Sequence, residues 1–149
     1  MSKRRGEAND FAAIVEAPTT FDAVESITLR LRRAEYLVRR RLAPTLDSYG
    51  LHLEHWQILA VLLAQPGLRM SDLAEAAVLP PASLTRHVDK LVERALVIRR
   101  IDPKDKRSQV VALSAMGRSV ADGLAVLERG VAIETGVLPA SPTALSVTT

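Results

Sequence analysis

The side chains best suited to chemistry stand together in the second half of the chain. Arg99, Arg100, Lys104, Lys106 and Arg107 crowd a stretch whose only acids are Asp102 and Asp105. A solvated loop mixes its charges more evenly. An excess of cations fits phosphate neutralisation, and an arginine among them can enter a narrow minor groove. Just upstream, PASLTRHVDKLVERA sorts into two faces on a helical wheel. Leu84, Val88, Leu91 and Ala95 share one side, with Val92 at its edge. Ala82, Arg86 and Lys90 point the opposite way, flanked by Ser83 and Thr85. Small residues near the start of such a helix let its backbone approach the floor of a DNA groove. Arg86 can donate to a guanine edge in bidentate fashion, and Lys90 can neutralise a phosphate.

Other chemistries find less support. His52 and His55 are three apart, a spacing that could put two zinc ligands on one helix face, but no third and fourth ligand stand out. Surface or interhelical histidines are the better reading, and no metal site is expected. Ser83, His87 and Asp89 on one helix do not make a nucleophile-base-orienter arrangement. The chain has no G-x-S-x-G, no phosphate-cradling glycine loop and no carboxylate cluster. Neither catalytic residues nor a cofactor are expected. The absence of cysteine excludes disulfides and thiolate metal sites.

The elements that must position these residues follow from periodicity. From Phe21 the pattern is helical, with Val24, Ile27, Leu31, Ala34, Val38 and Leu42 forming a seam. Pro44 should end or kink this helix near Ala43, because it lacks the amide hydrogen an interior position needs. A second helix is predicted over Leu53–Ala64, with Trp56, Leu59, Leu62 and Leu63 on its core side and Gln65-Pro66-Gly67 as its stop. A short third helix, SDLAEAA, takes Ser71 as its N-cap. The turn Val78-Leu79-Pro80 leads into the fourth, where Pro81 suits the first helical position. After Ala95 the period changes. LVIRRI and QVVAL are β-branched runs around DPKDKRS, the pattern of a hairpin with a basic tip. Ser114 then caps a last helix whose seam is Val120, Leu124, Leu127 and Val131. Gly123, Gly130 and Gly136 each weaken it by about 1 kcal/mol relative to alanine.

Two short helices, a tight turn, a longer helix and a basic hairpin are the order of a winged helix-turn-helix. The expected fold class is therefore mainly α (α+β). It divides into a flexible tail at 1–20, a dimerisation helix at 21–50 and a DNA-binding domain at 51–113. A second dimerisation helix at 114–138 and a disordered tail at 139–149 complete it. The composition agrees: hydrophobic residues are 48% and aromatics only 3%, so the core must be aliphatic, which favours helices. A formal charge of +3 is compatible with a nucleic-acid partner without requiring one. The basic start MSKRRGEANDF has no apolar run behind it and nothing reads as a membrane span. A cytoplasmic, nucleoid-associated location and no membrane partner are expected.

From about Leu51 to Gly117 the sequence resembles the multiple-antibiotic-resistance regulator (MarR) family of bacterial transcription factors. The resemblance rests on LHLEHWQILAVL, SDLAEAAVLPPASLTRHVDKLVERALV and DPKDKRSQVVALSAMG. Its most discriminating element is Asp105-Lys106-Arg107-Ser108, the D-x-R-S wing signature, followed by Leu113-Ser114 and Gly117. It implies a homodimeric repressor whose first and last helices intertwine over a pseudo-palindromic duplex, with half-sites roughly 10 bp apart. It also implies that Arg107 enters the minor groove, with Asp105 helping to hold it. A small aromatic or anionic effector would sit between the dimer region and the head, with Leu31, Tyr36, His52, His55 and Trp56 as candidate lining. The chain departs from the family at Pro80, where many relatives carry serine, at Ala82, and in the proline-containing tail after Gly136. A winged-helix module used only for protein contacts is the alternative, but such a module has no need of five cations around one hairpin.

Overall fold

The computed structural model describes residues 26–134; the predicted tails, the helix start at Phe21 and the stretch around Gly136 lie outside them. In chain order the elements are α1 (Ile27–Ser48), α2 (Leu53–Ala64), β1 (Leu68–Arg69) and α3 (Met70–Ala77). They are followed by α4 (Pro81–Glu93), β2 (Val97–Ile101), β3 (Gln109–Leu113) and α5 (Ala115–Glu134). The fold is mostly helical with one small antiparallel sheet of order β1-β3-β2.

The core forms where the apolar faces of α2, α3 and α4 meet the sheet and the long helices. Ile58, Leu59, Leu62, Leu73, Leu84, Val88 and Leu91 are fully buried there, with Leu96 and Val97 at the sheet edge. Leu42 and Leu46 of α1 and Ala121 and Leu124 of α5 close the cluster. Each buried leucine contributes about 1.5–3 kcal/mol of transfer free energy, so this aliphatic cluster is the principal stabilising feature of the fold.

Three helix ends close in the same way, with two amides folding back onto the last turn. Leu51 N–H donates to Leu46 C=O and Gly50 N–H to Asp47 C=O; Leu79 and Val78 do the same to Ala74 and Glu75, and Leu96 and Ala95 to Leu91 and Val92. This motif needs one residue in the left-handed region. Glycine supplies it only at Gly50; Val78 (φ 55°) and Ala95 (φ 57°) adopt it against their intrinsic preference. At the junction with α5, the Ser114 hydroxyl donates to Ala95 C=O (2.6 Å) and accepts from Gly117 N–H (2.8 Å), capping the helix as predicted. A Cβ on Gly117 would lie 1.8 Å from the Leu96 carbonyl oxygen, so only glycine lets α5 approach the sheet.

Three details differ from the sequence reading. Helix α1 does not end near Ala43; it runs through Pro44 to Ser48. Leu42 and Leu46 on either side of the proline are buried, and their packing outweighs one missing backbone hydrogen bond. Helix α3 starts at Met70, one residue before the expected cap. Ser71 is consequently inside the helix, its hydroxyl 3.4 Å from the Asp72 carboxylate. The cause is strand β1, unseen in the sequence pattern: Leu68 and Arg69 pair with Val111 and Val110, and the chain passes straight from strand to helix.

Candidate nucleic-acid interface

Helix α4 presents the front that its sequence pattern requires. Leu84, Val88 and Leu91 are buried, whereas Ala82, Thr85, Arg86 and Asp89 are exposed. Ser83, His87 and Lys90 form a half-buried strip between these faces. Lys90 is thus at the margin of the front rather than at its centre. Pro80 and Pro81 open the helix without amide hydrogens, and Thr85 Oγ1 turns back to Pro81 C=O (3.4 Å).

The wing is a β2–β3 hairpin in register from Val97↔Leu113 to Ile101↔Gln109. Its tip is built by two aspartates acting through the backbone. Asp102 accepts from Lys104 N–H (2.9 Å), and Asp105 accepts from Arg107 N–H (3.0 Å) and from the Ser108 hydroxyl (2.8 Å). Such side-chain turns fix the chain locally and leave the following side chains outside. Asp105 therefore holds Arg107 by its amide, not by its guanidinium. Among the described residues Arg100, Lys104, Lys106 and Arg107 make no ion pair, and all four are exposed.

Three ion pairs tie the wing to the head. Arg69 donates twice to Asp102 (3.0 and 3.2 Å) and lies 3.6 Å from Asp105. The Lys104 amide, followed by Arg69, holds the Asp102 carboxyl below the ordinary carboxylate range. Asp105 is lowered in the same sense, first by the Arg107 amide and then by the Ser108 hydroxyl. Both stay ionised and keep the tip in shape. Arg99, one of the cations expected to reach DNA, is paired with Asp89 across the gap between β2 and α4. Nothing in the sequence marks Arg69 or Asp89 as a partner of the wing. Their partners lie far along the chain, and only the β1–β3 pairing and the α4–β2 packing bring them together.

A histidine pair joins α2 to α4. His55, only 4% exposed, accepts the His52 backbone N–H at Nδ1 (2.9 Å). Its Nε2 lies 3.3 Å from His87 Nδ1. Burial, and then the proximity of His87 and His52, lowers the His55 pKa to about 4. Among the described residues no group of three or more His, Cys, Asp or Glu is arranged to hold a metal ion.

The five residues considered for an effector site are scattered in environment. Trp56 is buried and its indole donates to Glu128 of α5 (3.0 Å). His52 is exposed at the start of α2, Leu31 is exposed on α1, and Tyr36 is half-buried. A cleft of about 410 Å³ between α1 and α5 is lined by Leu37, Arg40, Arg41, Pro44, Val131 and Glu134, and by none of the five.

A buried three-helix core carrying an exposed cationic helix front and a tethered basic hairpin defines a winged helix-turn-helix head of the DNA-binding kind. Comparison with known proteins agrees. The MarR family model matches residues 49–108. A transcriptional regulatory protein for the hcr operon of Thauera aromatica is 28% identical over 120 residues, covering 78% of this chain and 70% of the relative. The crystal structure of a MarR-family regulator from Silicibacter pomeroyi superposes with a TM-score of 0.62 at 28% identity, covering 75% of each chain. CouR from Rhodococcus jostii, solved bound to p-coumaroyl-CoA, gives a TM-score of 0.63 at 26% identity, covering 74% of this chain and 78% of that one. Residues 49–108 therefore resemble the MarR family of transcriptional regulators, and the described fold is similar to solved members of that family. Among the described residues no helix is long and apolar enough to cross a membrane.

Proposed function

We propose that the chain is a homodimeric repressor of a pseudo-palindromic operator, released when a small aromatic or anionic effector binds. Each α4 lies in the major groove, with Arg86 donating to a base edge and Ser83, Thr85 and Lys90 bonding the backbone around it. Each wing follows the flanking backbone. Arg107 enters the minor groove while Lys104 and Lys106 neutralise phosphates. The observation that carries this reading is the wing tip: Asp102 and Asp105 spend their charge on backbone amides and Arg69, leaving the tip cations exposed for phosphate.

Dimerisation is supported by apolar surface on the long helices that the described chain leaves uncovered. Ile27 and Leu31 of α1 and Val126 of α5 are 72%, 57% and 65% exposed. Such side chains on two helices at the ends of a head suit a twofold interface. A ligand of the aromatic, anionic class is suggested by CouR, whose structure holds p-coumaroyl-CoA.

The test is a binding titration of the full chain against its own upstream DNA at several salt concentrations. Affinity should fall steeply as salt rises. Lys90→Ala should weaken binding to all sequences, while Arg86→Ala should also relax one base pair by about 1–3 kcal/mol. A flat salt dependence, or indifference to both Arg86→Ala and Arg107→Ala, would sink the reading.

A further inference from the structure

Helix α4 carries a polar side chain to which the proposed function assigns no part. His87 sits between Ser83 and Lys90, four residues after one and three before the other, on the strip beside Arg86. Its hydrogen-bond state is set by a chain of contacts that starts at a backbone amide. A backbone N–H can only donate, so His55 Nδ1, 2.9 Å from the His52 amide, must be the unprotonated nitrogen of its ring. His55 is buried and neutral, so its single proton is on Nε2. That N–H is the donor toward His87 Nδ1 at 3.3 Å. With Nδ1 accepting, a neutral His87 carries its own proton on Nε2.

The outer nitrogen is also accessible. Every fully buried side-chain nitrogen or oxygen among the described residues has a hydrogen-bond partner. His87 is half-buried, and its Nε2 has no partner among the described residues, so this atom reaches solvent. The two rings meet edge to face, with centroids 4.7 Å apart and planes at 87°, which holds the His87 ring in one orientation.

We propose that the His52 amide and His55 lock His87 as an Nε2–H donor on the reading helix, and that this N–H bonds an acceptor on the duplex. This rests on the DNA-binding reading above. The acceptor chemistry is an unprotonated oxygen or nitrogen: a purine N7 or guanine O6 in the major groove, or a phosphate oxygen beside it. His87 is then a binding residue and His55 a positioning residue. The same relay ties the reading helix to α2, so a shift of α2 would alter the donor presented to DNA.

Two measurements test this on the full chain. The first is nitrogen-15 NMR of the imidazoles near neutral pH, which reads the tautomer without DNA. Protonated Nε2 and bare Nδ1 are expected for both rings, and the reverse at His87 would overturn the lock. The second is titration of the chain's upstream duplex by wild type, His87→Gln and His87→Asn. The glutamine amide nitrogen falls near the Nε2 position and should keep affinity within about threefold. The shorter asparagine should lose about tenfold. A purely structural histidine would lose equally in both variants, and that result overturns the proposal.

Substitution in the DNA identifies the acceptor when wild type and His87→Asn are compared. A 7-deazapurine, a purine lacking O6 or a methylphosphonate that costs wild type about tenfold but costs His87→Asn nothing further is the partner of His87. If no single substitution across the footprint separates the two proteins in this way, the proposal fails while salt-dependent DNA binding stands. Absence of any binding by wild type would instead remove the DNA reading, and the role proposed for His87 with it.

Discussion

The winged head and the long end helices use the same aliphatic residues in opposite ways. In the head, helical and strand periodicities converge on one closed cluster, so Leu59, Leu62, Leu84 and Leu91 lose essentially all contact with water. In α1 and α5 the apolar residues outnumber the partners that the described chain provides. Leu42 and Leu124 are buried, while Leu31 and Val126 on the same helices stay exposed. Periodicity alone cannot tell these cases apart, because both yield an apolar seam at steps of three and four. The head's cluster is closed by part of each long helix, while the rest of those helices carries apolar side chains that the described residues leave uncovered.

The largest test of that contrast compares two glycines. Gly117→Ala forces a methyl group into the Leu96 carbonyl and should destabilise the fold by about 3 kcal/mol or more. Gly123→Ala, on the same helix but with nothing within 4 Å of the added carbon, should stabilise it by about 1 kcal/mol. Urea unfolding of both variants reads the difference. Similar effects at the two sites would mean that α5 is not held against the sheet at its first turn.

A comparable effect comes from acid. The folded-state pKa of His55 lies at about 4, below its unfolded value of 6.5, so the unfolded chain takes up the proton first. Stability should be complete above pH 6.5 and fall by roughly 1.4 kcal/mol per pH unit on the way to about 4. Asp102 has the same sign lower down: its contribution is present above the ordinary carboxylate range and is lost as pH falls through its depressed value. Thermal unfolding across this window should show the slope, and His55→Gln should flatten its upper part. An unchanged slope in that variant would place the acid sensitivity elsewhere.

The smallest expected change in head stability belongs to the ends. Leu31→Glu replaces a residue that is 57% exposed and should shift unfolding of the head by less than about 0.5 kcal/mol. It should nevertheless convert a dimer to a monomer in sedimentation. If Leu31→Glu leaves the sedimenting mass unaltered, the exposed seam of α1 is not the interface.

Much of the site was legible because it rests on local rules. Leu53–Ala64 as a helix, Pro81 at a first helical turn and Ser114 as a cap follow from periodicity and from which side chains can satisfy free amides. The basic hairpin was equally plain, since β-branched runs on either side of a turn sequence leave few alternatives. Pro44 does not end its helix and Ser71 does not cap one, for a common reason. The preference of a single residue is overruled by contacts made elsewhere: the burial of Leu42 and Leu46, and the pairing of β1 with β3.

The sequence by itself determined the order of elements, the apolar back of α4 and the surplus of cations at the wing, because each is written in neighbouring residues. Only the tertiary structure decided which of those cations are engaged. Arg69 is bound to Asp102, 33 residues away, and Arg99 to Asp89 on the facing helix, while Arg107 is held by its amide alone. It also joined His55 to His87, 32 residues apart. A charge or a ring nitrogen finds its partner through packing that brings distant segments within about 3 Å, and no pattern of neighbouring residues records that distance.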